Sequence, residues 1–347
     1  MSASSALLEY YTTNYTKSCL RNQSILESPA FLSIGAKIEA ILILPINFFG
    51  IYCILCRTPK FMRGFQWHLL HLHVWLMVLT VFYTLLTTPY HFYPAIVRCS
   101  VGVLGELRVP SPYQLYLINL VYAGILCSIT LLFENRHQHL TTGSPAPRAR
   151  RVLSLGFVSF ALGAATNVPV VMHAEQNERE QESLKLAYLR ELVACPDELF
   201  FDERSYAQAS FDDVWSILAL GSVLVAVARL LFFIVHSLVS IRKSRRIETI
   251  SERTRRLQTA FLRAALAQVA APISVLTVPL LVLVYVMSTR IYAQGLINVC
   301  ILSIPAHSVA ATAALLVFNA PYRRFVRARI LGCGGDNANG TNRVSSW

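Results

Sequence analysis

Long apolar runs alternate with short polar stretches along the chain, and seven of the runs are long enough to cross a bilayer. A hydrocarbon core about 30 Å thick needs roughly 20 mostly apolar residues in a helix. The runs are Ala30–Cys56, Trp67–Tyr93, Pro112–Phe133, Val152–Met172, Val214–Ile241, Leu257–Met287 and Gly295–Phe318. Each exceeds the ten or so residues of a membrane β-strand, and none alternates strictly between polar and apolar positions. The pattern predicts an all-α fold: a seven-transmembrane helix bundle over 30–318, preceded by a tail at 1–29 and followed by one at 319–347. The longest polar connection, His173–Asp213, has 41 residues, too few for a second domain. Five runs carry internal prolines: Pro45, Pro89, Pro169, Pro272 with Pro279, and Pro305. A soluble helix tolerates this poorly, whereas in a membrane bundle neighbouring helices satisfy the freed carbonyls. The prolines also mark expected kinks. Residues Met1–Ser28 contain no apolar core of a signal peptide, so the first run is expected to act as its own insertion signal.

Composition narrows the class. Of 347 residues, 54% are hydrophobic and 14% charged, against roughly 25% charged in a soluble domain. Those values exclude both a soluble two-domain protein and a disordered chain. The net charge of +12 would by itself also suit a nucleic-acid binder. Its distribution argues otherwise. The segments Arg57–Gln66, Glu134–Arg151, Arg242–Arg256 and Asn319–Trp347 hold nineteen Lys and Arg, and the N-terminus with the other three loops holds nine. This excess predicts a cytoplasmic C-terminus and an N-terminus outside. The sequons Asn14-Tyr15-Thr16 and Asn22-Gln23-Ser24 agree, making Asn14 and Asn22 candidates for N-glycosylation. His173–Asp213 has eleven Asp and Glu against four Lys and Arg, so the long outer loop is acidic. The basic skirt is expected to meet anionic lipid headgroups, at about 1 kcal/mol per residue. No nucleic-acid surface results, because the aromatic residues lie in the spans and not among the arginines.

The cysteines divide in the same way. Cys53, Cys56, Cys127 and Cys300 fall in spans, where they act as small apolar side chains. Cys19, Cys99 and Cys195 fall outside, where disulfides persist. A Cys99–Cys195 bond would tether the acidic loop to the bundle, with Cys19 as the competing partner. In the C-terminal tail Tyr322, Phe325, Val326 and Ile330 form one apolar face of a helix whose other side is arginine. Such a helix lies in the membrane interface. Cys333 at its end is a candidate palmitoylation site, or else a plain thiol.

Four segments carry the sharpest motifs. Leu132-Phe133-Glu134-Asn135-Arg136-His137 closes the third run. Ser251-Glu252-Arg253-Thr254-Arg255-Arg256-Leu257-Gln258, then Phe261-Leu262, Gln268 and Pro272, enters the sixth. Phe318-Asn319-Ala320-Pro321-Tyr322-Arg323 ends the seventh, and Arg57-Thr58-Pro59-Lys60-Phe61-Met62 follows the first. Together these resemble the nematode chemosensory serpentine receptors of class H, which are G-protein-coupled receptors. The resemblance implies a chemoreceptor of sensory neurons, in the plasma membrane and its sensory cilium, coupled to a heterotrimeric G protein. By that resemblance Glu134, Asn135, Arg136, Asn319, Pro321, Tyr322 and Arg323 form the coupling and switch region. Charge alone also allows the reading, since Arg136 can trade the Glu134 carboxylate for a carbonyl of a partner, or simply anchor at the interface. An Asn separates acid and base, unlike the common D/E-R-Y pattern, and Asn319-Ala320-Pro321-Tyr322 only approximates N-P-x-x-Y.

Ionisable and polar groups inside spans are functional candidates by default. Tyr116, Asn119, Arg229, Asn298 and His307 are candidates to line a cavity for a small-molecule ligand, against the plainer role of inter-helix hydrogen bonding. His68, His71 and His73 open the second run and read as interface residues. The competing functions are a transporter or channel, disfavoured by the absence of an inverted repeat or matched broken helices, and an enzyme. No His-Glu-x-x-His or Gly-x-Ser-x-Gly pattern occurs, and Cys53 and Cys56 lie in an apolar run, so neither catalysis nor a metal or cofactor is expected.

Overall fold

A computed structural model describes residues 3–15, 19, 24–141, 160–165, 168, 178–192, 195–208, 252–330 and scattered helical positions between 221 and 239. The predicted runs Val152–Met172 and Val214–Ile241 lie largely outside the described residues, as do Asn22, Arg229 and Cys333.

The first long helix begins where the chain supplies its own cap. The Ser28 hydroxyl accepts from the Phe31 N–H, and Pro29 occupies the first helical turn, where a missing N–H costs nothing. After the N-terminal helix α1 (Ala3–Tyr10), the bundle comprises α2 (Pro29–Cys56) and α3 (Arg63–Val81), which ends in a wider π turn at Phe82–Leu86. A strand β1 (Pro89–His91), a strand β2 (Val97–Ser100) and a short helix α4 (Val103–Glu106) lead into α5 (Ser111–Thr141). Then come α6 (Glu178–Glu191), β3 (Tyr206–Ala207), α7 (Glu252–Thr289), α8 (Gln294–Ser303), α9 (Ala306–Phe318) and the tail helix α10 (Ala320–Ile330).

Among the described residues, five helices are long and apolar enough to cross a membrane: Pro29–Cys56, Arg63–Leu86, Ser111–Asn135, Leu262–Thr289 and Gln294–Phe318. Their outward faces carry large apolar side chains with no protein cover, such as Ile41, 73% exposed, with Leu42, Phe48, Val278, Leu281 and Val284. In water such a girdle would drive aggregation; against lipid tails it is the required surface. Pro45, Pro272 and Pro279 sit inside helices, as expected. Pro305 does more than kink its span, because it separates α8 from α9.

The second run departs from its predicted extent. Its helix stops at Leu86, the Thr87 hydroxyl closes the last turn onto Phe82 O at 2.7 Å, and Pro89 begins β1. The residue before a proline is disfavoured in the helical region, which ends the span several residues before Tyr93.

The purely α expectation also needs amendment. A small antiparallel sheet in the order β1-β2-β3 covers one end of the bundle, with Tyr90 opposite Cys99 and Arg98 opposite both His91 and Tyr206. The sequence Ile96-Val97-Arg98-Cys99-Ser100 was hidden in a loop too short to show alternation. The acidic segment supplies α6 and β3 and is therefore a folded part of the cap.

Two hydrophobic cores result among the described residues. One, at the sheet end, gathers Leu7, Leu32, Tyr90, Phe92, Val97, Phe200, Leu283, Val286, Ile297 and Ile304. The other gathers Cys53, Ile54, Phe65, Leu132, Phe133, Leu262, Val269, Ala311, Leu315 and Tyr322. Between them lies a polar seam that joins α2, α3 and α9. Asn47 donates to Ser308 Oγ at 2.9 Å and accepts from the Thr312 hydroxyl at 3.1 Å. The Thr80 hydroxyl is 2.9 Å from the same Ser308 oxygen. His73 Nε2 is 3.1 Å from Asn47 O. A Cβ on Gly50 would lie 2.7 Å from that imidazole nitrogen, so the close approach needs glycine there. His73 is thus a buried bundle residue and not an interface one. His71 is likewise committed: it accepts from the Trp75 indole N–H at 3.2 Å on Nε2, so its Nδ1 carries the proton donated to Ser128 at 2.7 Å.

Candidate functional site

The motif segments converge at the end of the bundle away from the sheet. Leu132 and Phe133, just before Glu134, pack in one cluster with Tyr322, with Ile54 and Met62 beside the Thr58 turn, and with Leu262 of α7. Glu134 is buried and Asn135 half-buried on α5. Arg136 follows on the same helix, with its side chain outside the described atoms.

The end of α9 shows how Asn319 and Arg323 work. Asn319 is extended (φ −95°, ψ 112°), which breaks the helix, while its Nδ2 donates to Leu315 O at 3.0 Å. Pro321 falls in the first turn of α10, the position where proline suits a helix. Arg323 reaches back and donates to Val317 O at 2.9 Å. A cation on the carbonyl end of a helix is favourable.

Tyr322 is fully buried, and its hydroxyl lies 2.6 Å from the Thr58 hydroxyl, which in turn donates to Ile54 O at 2.5 Å. Burial pushes the Tyr322 phenol above its ordinary value, so it stays protonated at neutral pH. The Arg57 guanidinium lies 4.3 Å from the Phe325 ring centre. The tail helix is therefore latched to the turn after α2 by one hydroxyl pair and one cation–π contact. In the sequence Thr58 and Arg57 stand only in the motif segment after the first run, and nothing there names their partner. Tyr322→Phe keeps the ring and removes the latch, and is expected to cost about 1 kcal/mol. Tyr322→Ala empties the site and is expected to cost about 3–5 kcal/mol. Thermal unfolding of the purified protein would separate the two.

Among the described candidate ligand residues, Asn298 and His307 are held by other partners. Tyr116 and Asn119 are half-buried on α5. Asn298 donates to Leu26 O at 2.8 Å and accepts from Gln294 at 3.0 Å, fastening the segment before α2 onto α8. His307 is wedged between Ile304 O at 2.7 Å and Leu76 O at 3.3 Å. Both act as the inter-helix and inter-segment bonds that were the plainer reading. The described cleft at the sheet end, about 390 Å³ including its open mouth, is lined by other residues: Tyr83, Thr87, His91, Arg98, Ser100, Gln114 and neighbours. Sequence reading counted Arg98 only as one of nine outer charges.

The disulfide is a second correction. Cys19 bonds Cys195, and Cys99 is a free, buried thiol, 1% exposed, which burial pushes up to about 11. The reason is the sheet: with β2 paired on both sides, Cys99 faces the cap interior. The N-terminal segment instead lies along the Cys195 segment, where the Tyr15 hydroxyl donates to Pro196 O at 2.7 Å and its ring packs on Phe201. Asn14 is exposed there.

Helices of membrane-crossing length, an uncovered apolar girdle and a polar seam at mid-depth define a multi-pass helical membrane protein. The family model for the serpentine type 7TM GPCR chemoreceptor Srh matches residues 27–332, and the chain belongs to that family. It is also similar to serpentine receptor class H-72 of Caenorhabditis elegans, with 26% identity over 331 residues, covering 93% of this chain and 92% of the relative.

Proposed function

We propose that this chain is a chemosensory receptor that binds a small ligand outside the cell and activates a heterotrimeric G protein within it. The single observation that supports this most is the convergence of Glu134, Asn319, Tyr322 and the Thr58 turn at one end of the bundle, opposite the capped end. The capped end is read as outside, with seven spans in all: a disulfide persists on that side, Asn14 is exposed there, and the arginine-rich α10 lies at the other. In this reading the receptor works in the plasma membrane of a chemosensory cilium, with Cys333 proposed as a palmitoylated cysteine after α10. Glu134 and Arg136 would form a pair that opens on activation.

Arg136→Ala is expected to abolish ligand-dependent G-protein activation while surface expression persists. The check is a G-protein-linked readout beside surface labelling. Ligand-driven current or flux without any G protein would overturn the reading in favour of a channel or transporter.

A further inference from the structure

The cleft at the capped end contains an unusual cation. Arg98 lines it from β2, half-buried overall, with its Nε sealed from solvent and without a hydrogen-bond acceptor among the described residues. Its Nη2 donates to Gln208 Oε1 at 2.8 Å, and its guanidinium lies 5.7 Å from the Tyr206 ring centre. No described carboxylate pairs with it. Shielding a guanidinium in this way is costly unless an anion completes it.

The rest of the lining shows what kind of anion would fit. His91 is held neutral by burial and the adjacent Arg98, down to about 3, so Arg98 is the sole described cation of the lining. One planar guanidinium matches one carboxylate; a phosphate would want more positive charge. Leu115, Ile118 and Pro89 offer an apolar wall for a short hydrocarbon tail. Gln114 is buried with its Nε2 donated to Val109 O at 2.7 Å, while its Oε1 has no donor among the described residues. That oxygen is placed to accept from a hydroxyl on the ligand.

We infer that this cleft is the receptor's ligand subsite and that its ligand is a small organic carboxylate, held by Arg98 and favoured when it carries a hydroxyl for Gln114. The inference rests on the receptor reading for its consequence, but binding itself can be tested without a G protein. Full-length protein in lipid nanodiscs would be unfolded thermally with hexanoate, 2-hydroxyhexanoate, hexanamide and hexanol, at fixed pH and ionic strength. The two acids are expected to raise the midpoint, the hydroxy acid more, and the uncharged analogues not. Arg98→Gln is expected to weaken acid binding at least about tenfold, and Arg98→Lys to lie between. Gln114→Leu is expected to erase the preference for the hydroxy acid while keeping hexanoate binding. Equal shifts from hexanamide and hexanoate, no shift from either acid, or unchanged binding by Arg98→Gln would overturn the inference. If Arg98→Gln does not fold, the acid–amide comparison and Arg98→Lys decide the matter. Binding without G-protein activation would strike the receptor reading alone; activation by ligands that the Arg98 variants bind normally would strike this inference alone.

Discussion

Cys195→Ser is expected to remove most correctly folded receptor from the cell surface. The Cys19–Cys195 bond closes a loop with a sequence separation of 176. In the chain-entropy account, closing so long a loop restricts the unfolded chain by about 5 kcal/mol, a large part of the stability of a typical fold. The bond also holds α1 and Tyr15 against the cap, where the Tyr11 and Tyr15 rings stack on each other and both meet Phe201 edge-on. Cys99→Ser is the matched control. Its thiol is already free, so the change is expected to cost only the difference between a buried thiol and a hydroxyl. Surface labelling of both variants checks the pair; equal damage from Cys99→Ser would restore Cys99 as the bonding partner.

Asn47→Ala is expected to destabilise the bundle by about 3 kcal/mol, from two lost side-chain bonds and the void they leave. Asn47 is where three helices meet, donating to Ser308 and accepting from Thr312, beside Thr80. Its loss leaves polar groups of α9 without their α2 partner in a region sealed from water. The midpoint of thermal unfolding in nanodiscs reads the effect. Ser308→Ala, which removes one hydroxyl from the same seam, should cost less than Asn47→Ala, and the double variant less than the sum of the two.

The helices were legible because lipid imposes one requirement on all of them, a run of apolar residues of fixed length. Pro29–Cys56 and the region to Phe318 are close to the sequence boundaries for that reason. The second span was overextended because Tyr90, Phe92 and Tyr93 are apolar enough to lengthen the run, although they fold as strand and turn in the cap. Hydropathy counts such residues alike. The cap itself was illegible, since β2 and β3 are four and two residues long and find each other across more than a hundred positions. The disulfide followed from that pairing and not from compartment, which allowed three cysteines equally. Tyr322 and Thr58 both lie in motif segments, yet they became partners only in three dimensions. Arg98 was missed because a basic residue in an outer loop looks like any other until its surroundings are known.

The prolines have a further consequence. In α2, Pro45 falls between Leu32 of the capped-end core and Cys53 of the other. In α7, Pro272 and Pro279 fall between Val269 and Leu283, which belong to opposite cores. Pro305 falls between Ile304 and Ala311 in the same manner. Three spans thus carry prolines along the stretch that separates the two cores, where a ring without an N–H weakens the helical ladder. A push on the capped end would be relieved by tilting at these prolines, and the tilt would reach the Tyr322 latch as a movement of whole helix halves.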